Sequence, residues 1–258
     1  MKKILFFVFV LTVPPAASLS YALETGCIEG DCQNGFGIMV FPNGSRYEGE
    51  FQEGKYSGRG TFYFINGSIY EGEYNHGSYH GQGSFTYVNG SKYVGEFKNG
   101  EYHGLGTFTF ANGASYSGQY HKSNIDGLGT FTYADGSRYA GEFKNGSKDG
   151  HGILIHADGS KYTGEFKNGV YHGQGIYIFS NKEKYSGSFR DGSIDGQGII
   201  TYSDGSQYRG DFKNGKRNGQ GVYTESDGTK YSGEFKDDGF LDYDLLISSN
   251  KTTQKKNQ

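Results

Sequence analysis

The sequence predicts an all-β chain: an elongated array of antiparallel β-hairpins on a 23-residue period, preceded by a signal peptide. Three observations carry this reading. Tyrosine recurs without insertion or deletion at Tyr47, Tyr70, Tyr93, Tyr116, Tyr139, Tyr162, Tyr185, Tyr208 and Tyr231. Each tyrosine is followed two residues later by glycine, from Gly49 to Gly233, and four residues later by Phe or Tyr, from Phe51 to Phe235. A Gly-x-Gly then closes each of the first eight units, from Gly58 and Gly60 to Gly219 and Gly221. A fixed period of this length describes one unit drawn many times, each packing on its neighbours.

The elements follow in chain order. Residues 1–22 read as a signal peptide: Lys2 and Lys3 precede the apolar run Ile4–Val13, Pro14 and Pro15 break it, and Ser20-Tyr21-Ala22 offers small residues for cleavage, with Ala17 as another site. The run is about half the ~20 residues a membrane-spanning helix needs. Residues 23–46 read as a degenerate N-terminal capping repeat, with Gly26, Gly35, Gly37 and Gly44 in register with later glycines. Cys27 and Cys32 are the chain's two cysteines, and export to an oxidising compartment favours a disulfide between them. The alternative is lipidation of Cys27, since Glu24-Thr25-Gly26-Cys27 partly matches a bacterial lipoprotein box, with Glu24 where an aliphatic residue belongs.

Residues 47–238 form the array, and Tyr93–Ser115 serves as its unit. Tyr93, Gly95 and Phe97 alternate with Val94 and Glu96, the period of a strand. Lys98–Gly104 reads as turn, and Gly106–Phe110 as a second strand with Phe108 and Phe110 on one face and Thr107 and Thr109 on the other. Asn112-Gly113 then reads as a turn in which two successive residues take positive φ. Two strands per unit at ~4.8 Å spacing predict a body of roughly 80 Å. Glycines beside the rings leave room for aromatic side chains to cross the backbone. Residues 239–249 read as a C-terminal cap, where Phe240, Leu241, Leu245, Leu246 and Ile247 interrupt the pattern, and residues 250–258 as a polar tail.

Composition narrows function. Removing residues 1–22 leaves 23 basic against 28 acidic residues, a net charge of −5 that argues against a nucleic-acid binder. His80, His103 and His172 share one repeat position with Asp126, Asp149 and Asp195. Equivalent positions lie about 10 Å apart across two strand spacings, too far to share a zinc ion, so turn geometry accounts for them. Glu50, Glu73, Glu96, Glu142, Glu165, Asp211 and Glu234 form an acidic row beside the basic row of Lys98, Lys144, Lys167, Arg190, Lys213 and Lys236. Cross-strand charge pairing on a solvated face is the expectation for both. No nucleophile motif, phosphate loop or dinucleotide fingerprint occurs, so no enzyme activity, cofactor or metal is expected. Asn43, Asn66, Asn89 and Asn145 begin Asn-Gly-Ser sequons that turn preference also explains.

Tyr-x-Gly-Glu-Phe-Lys-Asn-Gly followed by Gly-x-Gly resembles the MORN repeat, the membrane occupation and recognition nexus motif. Tyr139–Gly146 and Tyr162–Gly169 are clear instances, and Ser123, Asp238 and Lys182 depart from it where a turn glycine is usual. The resemblance implies hairpin arrays that act as scaffolds, protein-binding modules or dimerisation elements, with membrane or phosphoinositide binding in some members. The chain is accordingly expected to be an exported scaffold, secreted, periplasmic or at the cell surface. It would bind a protein or itself through its aromatic face or sheet edge, with Tyr93, Phe97, Phe108, Tyr139, Phe143, Tyr162 and Phe166 as candidate contacts. Binding of anionic lipid through the lysine row, or of envelope glycan on exposed tyrosines, are the alternatives.

Overall fold

A computed structural model describes residues 24–246. The expected signal peptide, the end of the C-terminal cap and the polar tail lie outside the described residues. Among the described residues twenty strands, from Gly26–Gly30 to Gly239–Leu246, form one sheet. Every strand pairs antiparallel with its neighbours in sequence, an uninterrupted meander.

From Arg46–Gln52 and Lys55–Tyr63 to Gln207–Lys213 and Lys216–Thr224, each unit pairs a seven-residue strand with a nine-residue strand, as in Lys92–Lys98 and Glu101–Thr109. The connection between them is shorter than Lys98–Gly104. It is a two-residue turn, Asn99-Gly100, with φ of 53° and 87°. Positive φ at both residues matches the twist of a tight hairpin, which is why Asn-Gly recurs there. Ser123 and Asp238 take the glycine's place in two such turns at φ of 63° and 71°. The expected positive-φ pair at Asn112-Gly113 is corrected: Gly113 alone has positive φ there. That loop is held instead by Phe110 N–H to Ala114 O at 2.8 Å and by the Asn112 carboxamide accepting from Ala114 N–H at 3.1 Å. At the same loop position, buried Ser45, Ser68, Ser91 and Ser137 each accept the N–H of a residue in the following loop at 3.1–3.2 Å. Asn43, Asn66 and Asn89 brace these loops through their side-chain oxygens.

Residues Glu101–Gly104, read as turn from sequence, are strand. The ladder runs Gly95↔Gly106 and then Glu96↔His103, so Gly104 and Leu105 bulge out of the pairing. The bulge requires φ of 56° at Gly104, which glycine adopts freely.

The core is one layer of rings on one face. Tyr47, Tyr70, Tyr93, Tyr116, Tyr139, Tyr162, Tyr185 and Tyr208 are 0% exposed. Each lies across paired glycines: a Cβ on Gly106 would collide with the Tyr93 hydroxyl and come within 2.6 Å of two ring carbons. Each hydroxyl donates to the carbonyl three residues on, at 2.8–3.1 Å, so the buried phenol is satisfied at the bulge. Each ring also meets edge-on the aromatic four residues ahead and its counterpart in the next unit; Tyr139 is 5.0 Å from Phe143 and 4.9 Å from Phe166. Such pairs contribute roughly 0.5–1.5 kcal/mol each beyond simple burial. A sheet one layer thick thus has a continuous core, because the rings of successive units cover one another.

Burial pushes the hydroxyls of Tyr116, Tyr162, Tyr185 and Tyr208 up to about 12. An unfolded tyrosine ionises near 10. The folded state therefore holds these protons longer, and the stability they lend is full below pH ~10 and lost as pH rises towards 12. Melting temperature is expected to fall steeply above pH ~10, together with the appearance of tyrosinate absorbance. Complete tyrosine ionisation near pH ~10 with the fold intact would contradict the buried row.

At the N-terminal end a disulfide joins Cys27 and Cys32 and ties the first strand to the turn that follows it. At the other end Gly239–Leu246 adds one more strand, paired along its length with Lys230–Lys236.

Candidate functional site

The two faces of the sheet differ in chemistry. On the polar face, Glu96 lies beside the bulge and accepts Leu105 N–H, freed from the ladder, at 3.1 Å. Glu50, Glu73, Gln119, Glu142, Glu165 and Asp211 do the same in their units at 2.7–3.2 Å. This corrects the expectation of pairing between acidic and basic rows. The acids hold a backbone donor, and among the described residues the basic row makes one ion pair, Arg190 with Asp195. The sequence hides this role because nothing in strand alternation marks where two residues are skipped. Replacing Glu165 with alanine is expected to cost about 1 kcal/mol in urea denaturation, and glutamine close to nothing, since Gln119 already fills this role. Equal losses for both variants would show that charge, not the hydrogen bond, matters.

The Asp126 and Asp149 carboxylates accept N–H groups of the neighbouring turns, Asn145 and Asn168, at 3.3 and 3.1 Å. Among the described residues no group of three or more His, Cys, Asp or Glu converges as metal ligands would.

The aromatic face redistributes the candidate contacts. Tyr93, Tyr139 and Tyr162 are fully buried, and Phe97, Phe143 and Phe166 are 3–6% exposed. Their ring faces and edges are taken up by neighbours, so these six are core and not contact surface. Phe108, the seventh, is half-buried and belongs to a second row. In this row Phe41, Phe62, Phe64, Phe85, Tyr87, Phe108, Phe110, Phe131 and Tyr133 follow one another with centroids 4.6–5.9 Å apart and planes tilted. Eight of these nine rings are half-buried, and Phe110 is 36% exposed. Among the described residues the ladder is a continuous run of partly open rings on this face, and Leu154 interrupts it where the Phe131 position recurs. The Gly-x-Gly spacing could have located it, since each pair of rungs lies two and four residues after the second glycine. On the polar face, Leu105 and Leu128, each 62% exposed, border a shallow depression of about 640 Å³ floored by Gly95, Gly106, Gly118 and Gly129.

With this geometry in place, the chain belongs to the MORN-repeat family. The MORN repeat matches nine consecutive stretches, residues 33–46, 47–69, 70–92, 93–115, 116–138, 139–161, 162–184, 185–207 and 208–230. Repeats of this kind are generally protein or membrane interaction modules. No curated protein matches the chain in sequence. Among solved structures, the chain is similar to the TCP10 domain of Danio rerio CPAP, at 15% identity over 81% of this chain and 97% of that one, with a TM-score of 0.45. It is also similar to the TCP domain of Drosophila melanogaster SAS-4 (dCPAP), solved in complex with a proline-rich motif of Ana2 (dSTIL), at 15% identity over 70% and 99%, TM-score 0.41. Virginiamycin B lyase from Staphylococcus aureus follows at 11% identity over 80% and 71%, TM-score 0.16.

Proposed function

We propose that the protein is an exported, non-enzymatic scaffold that holds a segment of a partner protein along the ring ladder from Phe41 to Tyr133. The observation that carries this reading is the ladder itself: nine rings in sequence, partly open to solvent and packed on their other side against the core through Tyr56, Tyr79 and Tyr102. Rigid aromatics offer large contact area with little side-chain entropy to lose, and interfaces are enriched in them. The Tyr133 phenolic hydroxyl adds a polar handle.

The test uses residues 23–258 as bait in extract of the native source, beside a Phe64→Glu/Phe110→Glu double variant. Both substitutions fall at the repeat position where Glu225 already stands, so the strand accepts a carboxylate there, and circular dichroism with a melting curve checks that the variant array stays folded. A saturable protein partner whose affinity falls about 100-fold in the variant is the expected result. Retained affinity, or recovery of polysaccharide alone, would remove the ladder as the binding surface. Lipid binding keeps one supporting observation: Lys98, Lys144, Lys167, Lys213 and Lys236 are exposed, with no ion-pair partner among the described residues. Capture of anionic vesicles that vanishes at high salt would favour it. Export is tested by the mature N-terminus, expected after Ala22.

A further inference from the structure

Nine residues after each tyrosine lies a slot on the aromatic face, filled by Tyr56, Tyr79, Tyr102, Ile125, Lys148, Tyr171, Ile194, Arg217 and Phe240. Two of these nine residues are cations, and the structure treats them differently. The Arg217 guanidinium carbon is 5.2 Å from the Phe235 ring centroid, 5.6 Å from Tyr208 and 5.9 Å from Tyr223. It has its own counter-ion. Asp238, at the positive-φ place of the adjoining turn, sits 3.5 Å from Arg217 Nε and accepts the Arg217 backbone N–H at 2.9 Å.

Lys148 occupies the same slot three units earlier. Its Nζ is 5.6 Å from the Phe166 centroid, 5.7 Å from Tyr139 and 5.9 Å from Tyr133. Here the place of Asp238 is held by Gly169, at φ of 88°. Among the described residues none offers Lys148 a carboxylate. Burial among the rings pushes its ammonium below the usual lysine range. The slot also adjoins the last rung of the ladder, Tyr133, just where Leu154 breaks the run of rings.

We propose that Lys148 receives an acidic side chain of the docked partner segment, which is apolar or aromatic along the ladder and carries an Asp or Glu where it passes Tyr133. This rests on the ladder reading above. The Lys148 ammonium lies over three ring faces with no carboxylate beside it among the described residues, and a carboxylate is the strongest acceptor that can join it there. Arg217 shows that a cation in this slot takes a carboxylate reaching in from the neighbouring turn. The partner's acid would do at Lys148 what Asp238 does at Arg217, and so fix the register of the segment.

Short random peptides displayed on phage and selected on the full chain provide the test, with affinities then measured on free peptides. Lys148→Met keeps the chain length and ring contacts without charge, and Lys148→Arg keeps the charge. Gly169→Asp builds an internal counter-ion where an added Cβ has nothing within 4 Å. Selected peptides are expected to share one Asp or Glu beside apolar residues. Binding should weaken about tenfold in Lys148→Met and in Gly169→Asp, but little in Lys148→Arg. Changing the peptide acid to its amide should cost the same in wild type and nothing further in Lys148→Met. Peptides that bind Lys148→Met as well as wild type, yet lose affinity to Phe110→Glu, would overturn this proposal and leave the ladder standing. Peptides indifferent to both substitutions would overturn both. Charge-dependent binding confined to phosphatidylserine vesicles would replace the acidic segment with a lipid phosphate.

Discussion

Tyr139→Ala is expected to destabilise the protein by about 3–5 kcal/mol, the range for emptying a buried aromatic site. The ring is 0% exposed, makes edge contacts with Phe143 and Phe166, and donates to the Glu142 carbonyl at 2.8 Å. Tyr139→Phe keeps the ring and loses only the hydrogen bond, at a cost of about 1–2 kcal/mol. Because each unit packs on its neighbours, the alanine variant should also uncouple the two halves of the array. Urea denaturation is then expected to change from one transition to two. A loss below about 1 kcal/mol for alanine would show that the tyrosine row is not the core.

The second large effect is expected at Gly141. A Cβ there would lie 2.5 Å from Gly152 Cα and His151 O and 2.6 Å from the Tyr139 hydroxyl. Two of these three atoms are backbone and cannot turn aside. Gly141→Val should therefore cost about 3 kcal/mol or more, as overpacking does when nothing can give way. Gly146→Asn is the matched comparison. Its φ is 80°, nothing lies within 4 Å of an added Cβ, and Ser123 and Asp238 already stand at that turn position. Its cost should stay near 1 kcal/mol, the backbone term alone. Equal melting temperatures for the two variants would contradict the ring-over-glycine packing.

The hairpins, their faces and the glycines under the rings were legible because alternation and the 23-residue period report them directly. Other features depend on geometry that alternation does not encode. The bulge at Gly104 and Leu105 shifts the register on one side of a strand only, so Glu101–Gly104 reads as turn and Glu96 reads as a surface charge. Asn-Gly occurs in both connections of this unit, so the dipeptide alone does not mark which turn takes the positive-φ pair. Burial was the harder part. Period-two alternation places Tyr93, Phe97 and Phe108 on one face, but it does not say which rings lie flat beneath others. In a one-layer sheet the rings must cover each other, so half of the aromatic face is core and half is surface.

The division between buried row and open ladder is the central claim, and residue-resolved hydroxyl-radical footprinting with and without the captured partner tests it most directly. Protection is expected at Phe85, Phe108, Phe110, Phe131 and Tyr133, with Tyr93, Tyr139 and Tyr162 unreactive in both states. Protection confined to Leu105 and Leu128 on the opposite face, or strong reactivity of the three tyrosines in the free protein, would contradict it.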